Sequence, residues 1–475
     1  MLFSSLIFLF IFLPIVLVCY YLSPRDYRNS VLLTFSLLFY LWGSGWFLFI
    51  FVFSTVVDYV IGLLIDRSQC SRAARRWLIL SIIFNLSLLA YFKYSNFFIA
   101  NFNESLLHFG VNPIGWTKVI LPIGISFFTF HKISYIVDVF RGTRHAFISF
   151  VDFALYLAFF PQLIAGPIIR FHEISEQIKS RTETLSGFYQ GVLRFLWGLV
   201  KKVIFANSCG VIADTVFGLD IGAIDFKLAW LGIFSYTLQI YLDFSAYSDM
   251  AIGLGLMFGF KLPENFNRPY SAVSITDFWR RWHMSLSRFF RDYVYFPLGG
   301  NRLGVYRTYI NLMIVFILCG MWHGANWTFL IWGLYHGGLL VIERLTGLRT
   351  LDAESTALLV LKRISTFLLV MVGWVFFRSS SLAQAKVFIK GLFIPVQMPV
   401  PLEVLLVLNG RNVFFLLVAA LVLFLPRDFS GAGFIIKEKP TIIAVPQLII
   451  IVIMVFYSIT ALASGSYNPF IYFQF

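Results

Sequence analysis

A histidine lies near the middle of a 35-residue uncharged stretch of the sequence. Residues 308–342 contain no Asp, Glu, Lys or Arg, and His323 lies there between Gly320 and Gly324, followed by Asn326. A titratable side chain inside an apolar segment is costly and by default indicates a functional site. An imidazole can take a proton from a hydroxyl group near neutral pH. We predict a general base at His323, supported locally by Asn326, with a packing histidine as the alternative.

A second histidine, His283, lies in an aromatic and basic segment. The apolar residues of 278–293 recur every three or four positions, which predicts an amphipathic helix at the cytoplasmic interface, beginning at a capping-box-like Ser274. Its arginines either anchor the helix, the better interpretation for most of them, or bind the phosphates of a nucleotide-like acyl donor. The candidates for donor binding are Arg280, Arg281 and Arg288. His283 is a candidate second catalytic or orienting imidazole.

Two carboxylates, Asp243 and Asp249, end an uncharged run that begins at Leu228. Charged groups that enter an apolar segment require partners. They could orient the histidines or pair with arginines, and pairing between helices is at least as plausible as direct catalysis. The four cysteines are scattered without disulfide or metal-ligand spacing, so we predict packing roles for them and no metal site.

The composition places these residues in a membrane protein. Of the 475 residues, 59% are hydrophobic and 13% are charged, whereas soluble proteins average about 25% charged residues. Residues 308–342 as one helix would be roughly 50 Å long against a hydrocarbon core of about 30 Å, so this stretch must break or turn. The predicted breaking residues are Gly320, Gly324 and Gly333. The clearest apolar runs cover residues 2–22, 46–65, 77–92, 119–137 and 441–463.

The basic residues predict the orientation of the chain. The formal net charge is +14, and the charges lie in short loops, where Lys and Arg mark the cytoplasmic side. Topology and anionic lipid headgroups explain most of this surplus, so we predict membrane lipids as partners and no nucleic acid. The arginines after the first span and those of 67–76 predict that the amino terminus lies outside. Lys437 and Lys439, which precede the final apolar run, predict that the carboxyl terminus lies outside as well. We expect one all-α polytopic domain over residues 1–475, with ten to twelve crossings.

Three segments resemble the membrane-bound O-acyltransferases. They are residues 322–324 around His323, the Trp-Arg-Arg-Trp-His-Met-Ser-Leu-Ser run at 279–287, and residues 243–253. The likeness extends nearly from end to end and is nearest to the bacterial branch that acetylates alginate and peptidoglycan. The resemblance is specific enough to indicate the family, but it does not indicate which molecule finally accepts the acyl group. In this resemblance the invariant histidine of the family matches His323 and its second polar position matches His283.

The resemblance implies a fold and a reaction. It implies a ring of helices, with re-entrant and interfacial segments, around a central funnel in the bacterial inner membrane. Acetyl-CoA would be the donor from the cytoplasm, with no permanently bound cofactor, and a secreted polysaccharide such as alginate would be the final acceptor. A periplasmic serine-hydrolase-like partner and the exopolysaccharide machinery would complete the transfer.

The C-terminal segment 468–475 also resembles an ending common in this branch. Its aromatic residues are either interfacial anchors, the usual role, or include an acyl relay at Tyr472. Two other functions remain as alternatives. A polysaccharide transporter without covalent chemistry would need more intramembrane acids than this sequence has. Transfer of D-alanine or a fatty acyl group would use the same fold.

Overall fold

The computed structural model describes residues 2–68, 71–164, 166–347, 355–396, 398–424, 441–465 and 467–469. Throughout these ranges the regular structure is helical. Its contacts divide the chain into two compact units, one of residues 1–184 and 258–262 and the other of residues 185–257 and 263–475. The single domain over residues 1–475 stays a prediction.

In its described residues the first unit contains a π-helical turn, Phe8–Phe12, a 3-10 turn, Arg25–Tyr27, and eight α-helices. They are α1 (Leu13–Leu22), α2 (Arg28–Ser44), α3 (Phe47–Arg67), α4 (Arg72–His108), α5 (Ile125–Phe140), α6 (Phe150–Ala158), α7 (Phe160–Leu163) and α8 (Phe171–Lys179).

The apolar run 119–137 does not form one span as predicted. The helix begins only at Ile125, because Pro122 lacks a backbone donor and Gly124 has a left-handed φ of 76°.

The second unit contains all the predicted site residues that the structure describes. Its helices are α9 (Leu185–Val200), α10 (Asn207–Gly218), α11 (Phe226–Met257), α12 (Ile275–Arg281), α13 (Met284–Phe290), α14 (Val305–His323), α15 (Trp327–Leu345), α16 (Thr356–Arg378), α17 (Leu382–Phe393), α18 (Leu402–Val407), α19 (Gly410–Phe424) and α20 (Thr441–Ala463). A π-helical segment, Lys201–Ala206, joins α9 to α10, and another, Arg291–Tyr295, follows α13.

Five helical segments of the described residues are long and apolar enough to cross a membrane. They are 47–67, 72–108, 185–218, 305–323 and 356–378. Large apolar side chains remain exposed on them, such as Phe49 and Phe53 on α3, each 63% exposed. A soluble protein would bury such a stripe, whereas lipid solvates it. The chain is therefore a multi-pass, all-α membrane protein, and the predicted count of ten to twelve crossings stays a prediction.

Candidate active site

The uncharged stretch 308–342 folds as a helical hairpin with His323 at its tip. Helix α14 ends at His323, Gly324 is extended, and α15 begins at Trp327. Asn326 caps α15, since its side-chain oxygen accepts from the Thr328 backbone amide at 3.0 Å. Its amide nitrogen also donates to the Ser380 carbonyl at 3.0 Å. Asn326 thus fixes the turn that follows His323, and its role as a site-supporting residue stays a prediction.

Two other glycines of the hairpin serve close packing and do not break the helix. A Cβ on Gly320 would lie 2.3 Å from the Phe329 carbonyl oxygen, and one on Gly333 would lie 2.3 Å from that of Phe316. The backbones of α14 and α15 therefore meet at a distance that only glycine permits. The expectation that all three glycines could break the stretch was wrong, because only Gly324 lies outside a helix.

Aromatic rings surround the imidazole of His323. Its ring centroid lies 4.9 Å from that of Trp322, 5.1 Å from that of Trp332 and 4.9 Å from that of Phe377, all edge to face. Only 7% of His323 is exposed. Such an apolar wall keeps water away and strengthens any hydrogen bond made at the ring. His323 is therefore placed where proton transfer from a bound hydroxyl is chemically feasible.

The predicted continuous helix over residues 278–293 is wrong, because it breaks at His283. This residue has φ 43° and ψ 53°, a left-handed conformation that non-glycine residues adopt uncommonly and at a cost in free energy. Backbone groups that the break leaves without helical partners form hydrogen bonds with the segment 265–267. The Met284 amide donates to the Asn265 carbonyl at 2.9 Å, and the Asn267 amide donates to the Arg281 carbonyl at 2.9 Å. The start at Ser274 is confirmed, since its hydroxyl accepts from the Asp277 amide at 3.0 Å.

Asn265 fixes the tautomer of His283. The Asn265 side-chain oxygen accepts from His283 Nδ1 at 3.1 Å and from the Ser285 hydroxyl at 2.9 Å. Its nitrogen donates to the Ser248 hydroxyl at 3.1 Å. Burial lowers the pKa of His283 to about 3, so the imidazole is neutral and carries its proton on Nδ1. Nε2 then presents a lone pair that is buried and has no hydrogen-bond partner within the described residues.

Trp322 connects the two histidines. Its ring centroid lies 4.9 Å from that of His323 and 6.0 Å from that of His283. Phe244 closes the other side of His283 with its ring centroid at 4.7 Å. The structure therefore brings the two predicted imidazoles against one indole, although 40 residues separate them. Asn265 and Trp322 were not predicted as site residues, and no local spacing in the sequence relates Asn265 to His283.

The three candidate arginines occupy different surroundings. Arg281 forms an ion pair with Asp277 at 2.8 Å, four residues earlier on α12. Arg288 donates to the Glu264 backbone carbonyl at 3.2 Å. Arg280 is exposed. Arg281 is therefore engaged in its own helix, and Arg280 is the most accessible of the three candidate arginines.

The two candidate carboxylates are paired with cations, as the structural alternative predicts. Asp243 contacts Lys202 at 2.9 Å, and both side chains are buried. Asp249 accepts from Arg194 at 2.9 Å and from Lys201 at 2.5 Å. Asp243 immediately precedes Phe244, the ring that closes the site of His283. The predicted relay residue, Tyr472, lies outside the described residues.

Comparison with known proteins decides the family. The model of the MBOAT, membrane-bound O-acyltransferase family matches residues 125–383, more than half of the chain. The chain belongs to this family. It is 52% identical to a probable alginate O-acetylase of Azotobacter vinelandii over 81% of the chain and 76% of that protein. It is 44% identical to another from Pseudomonas putida over the full length of both.

A peptidoglycan O-acetyltransferase of Helicobacter pylori is also similar. It is 39% identical over 82% of the chain and 80% of its own length. Membership of the family and the similarity to these O-acetylating proteins identify the chain as an O-acyltransferase. The family match includes both histidines, the α14–α15 hairpin and the whole of α16, where Phe377 lies.

Proposed function

We propose that this protein transfers an acetyl group from acetyl-CoA at the cytoplasmic face of the bacterial inner membrane for O-acetylation of a secreted polysaccharide such as alginate. The observation that carries the proposal is the pair of buried imidazoles on either side of Trp322. The similarity to alginate and peptidoglycan O-acetylating proteins supports acetyl as the group that is moved. The basic loops support a cytoplasmic donor side and support an outside location for both termini.

In the proposed reaction His323 is the general base. It takes the proton of the acceptor hydroxyl while the hydroxyl oxygen attacks the thioester carbonyl carbon. The new carbon–oxygen bond forms as the carbon–sulfur bond breaks, and the proton passes to the departing coenzyme A thiolate. Trp322, Trp332 and Phe377 exclude water, which protects the thioester from hydrolysis.

His283 has a different role in this proposal. A neutral imidazole with a pKa near 3 is a poor base, but its Nε2 can accept a hydrogen bond. We assign it to orienting the acceptor hydroxyl or the donor amide near His323. Arg280, exposed on α12, is the best placed of the three arginines to meet donor phosphates. Arg281 and Arg288 support the backbone of the same segment.

Tyr472 completes the proposed route toward the outside. It accepts the acetyl group as a phenyl ester and passes it to a serine-hydrolase-like periplasmic partner. We expect Tyr472→Phe to lower polymer acetylation at least tenfold with unchanged expression, because phenylalanine lacks the acceptor oxygen. The measurement is the acetyl content of the polymer from cells that carry the variant. Tyr467→Trp is not a suitable control, because the Tyr467 hydroxyl donates to the Asp214 carboxylate. Wild-type acetylation by Tyr472→Phe would remove the relay step.

The competing activities differ in the donor that they consume. We expect the purified protein in lipid nanodiscs to release free coenzyme A from acetyl-CoA at least tenfold faster than from a long-chain acyl-CoA. We expect no consumption of a D-alanyl-carrier protein thioester under the same conditions. Thiol release and label transfer measure both reactions. Preference for D-alanyl or fatty acyl donors would replace acetyl in the proposal, and flux of sugar through vesicles with no thioester cleavage would favour a transporter.

A further inference from the structure

A polar face on helix α10 contacts the described end of the chain. Asn207, Gly210 and Asp214 are spaced three and four residues apart, so they lie on one side of the helix. The Tyr467 hydroxyl donates to the Asp214 carboxylate. The Asn207 amide lies 3.3 Å from the side-chain oxygen of Asn468. Both polar side chains on this face of the helix therefore meet the segment 467–469.

Gly210 makes room for the ring of Tyr467. A Cβ at this position would lie 3.2 Å from Tyr467 Cε1 and 2.8 Å from the Gln239 amide nitrogen. Glycine in the interior of a helix is unfavourable relative to alanine, so its presence here requires a compensating contact. The ring of Tyr467 and the nearer Gln239 side chain of α11 together provide that contact.

A half-buried arginine and a buried lysine complete the contact. Arg378 forms an ion pair with Asp214 at 2.7 Å, which holds the carboxylate that Tyr467 meets. Lys202 is paired with Asp243 at 2.9 Å and donates to the backbone carbonyl of Pro469. Lys202 thereby connects the segment 467–469 with Asp243, the neighbour of Phe244 in the site of His283. Hydrogen bonds from a charged donor are stronger than those between neutral groups, so the bond from Lys202 fixes the backbone at Pro469.

We propose that the face formed by Lys202, Asn207, Gly210 and Asp214 is a docking track that positions the C-terminal tail for acyl transfer. These are positioning residues, because they act through the tail and not on the reacting atoms. The inference rests on the proposed function in one respect, namely that the tail carries the acceptor Tyr472, three residues beyond Pro469. The docking itself rests on contacts alone.

The test is Gly210→Leu, which fills the space of the Tyr467 ring while favouring the helix. Tyr467→Phe is the milder second variant, since it removes only the hydroxyl that meets Asp214. Thr215→Val is the matched control, because the Thr215 hydroxyl bonds to the Val211 carbonyl of its own helix at 2.8 Å and makes no contact with the tail that the structure records. For each variant we measure three quantities. They are hydrogen–deuterium exchange of the full-length protein in nanodiscs, polymer acetylation in cells, and the KM for acetyl-CoA.

We expect exchange in the peptide that contains residues 467–469 to rise at least tenfold in Gly210→Leu and about threefold in Tyr467→Phe, with peptides of α10 unchanged in Tyr467→Phe. Acetylation falls by similar factors while the KM stays within twofold of wild type, and Thr215→Val behaves as wild type. Unchanged exchange in both variants would overturn the docking. Faster exchange with normal acetylation would overturn the positioning role. If the wild type releases no coenzyme A from acetyl-CoA, the proposed function fails, and exchange, which needs no substrate, still decides the docking.

Discussion

Replacing His323 with alanine should lower acetyl transfer by a factor of about 10² to 10⁴, the range that a positioned general base contributes. The side chain is 7% exposed and enclosed by Trp322, Trp332 and Phe377, so bulk water has little access to replace the base. Initial rates of coenzyme A release by the purified variant, at saturating acetyl-CoA, measure the effect. The KM for acetyl-CoA should change little, because the base acts on the acceptor hydroxyl.

His336 provides a matched control on the same hairpin. It is a second fully buried histidine, and its ring centroid lies 5.1 Å from that of Trp332, as does the centroid of His323. Both of its ring nitrogens lack a hydrogen-bond partner within the described residues. His336→Leu should therefore keep most of the activity. A His323→Ala enzyme as active as His336→Leu would contradict the general-base role.

The second large effect is expected on stability, from removal of Asp243. Asp243→Ala leaves the Lys202 ammonium buried without its anionic partner, which should lower the free energy of unfolding by about 3–5 kcal/mol. Unfolding of the detergent-solubilised protein by a denaturant titration measures this loss. The size of the effect follows from the stranded charge and not from the volume of the missing carboxylate.

The double variant Asp243→Leu with Lys202→Met separates these causes. It removes both charges and restores apolar packing, so its stability should return to within about 1–2 kcal/mol of wild type. Polymer acetylation by the double variant should nevertheless be lower than in wild type, because the contact between Lys202 and the Pro469 carbonyl is also lost. A double variant as unstable as Asp243→Ala would show that the pair is not the source of the loss.

The membrane fold and the central histidine could be predicted because both depend on local composition. An uncharged run longer than a bilayer must turn, and the histidine at that turn is conspicuous in the sequence. The same reasoning identified Ser274 as the start of a helix, because the capping pattern is complete within four residues. Signals of this kind need no knowledge of distant contacts.

The break at His283 could not be predicted, because its cause lies elsewhere in the chain. The periodicity of residues 278–293 fits one helix, but backbone hydrogen bonds from the segment 265–267 compete with helical ones. Asn265 is 18 residues away and has no spacing that marks it as a partner of His283. The role of Trp322 between the histidines likewise depends on how α14 packs against the residues between α12 and α13.

Transfer of label in inside-out membrane vesicles tests the central claim most directly. The vesicles carry the wild-type protein with its polysaccharide machinery, and labelled acetyl-CoA is supplied only to the outer solution, which corresponds to the cytoplasm. We predict that the label accumulates on polymer inside the vesicles and that His323→Ala reduces this at least 100-fold. Equal accumulation in wild-type and His323→Ala vesicles, or none in either, would contradict the account.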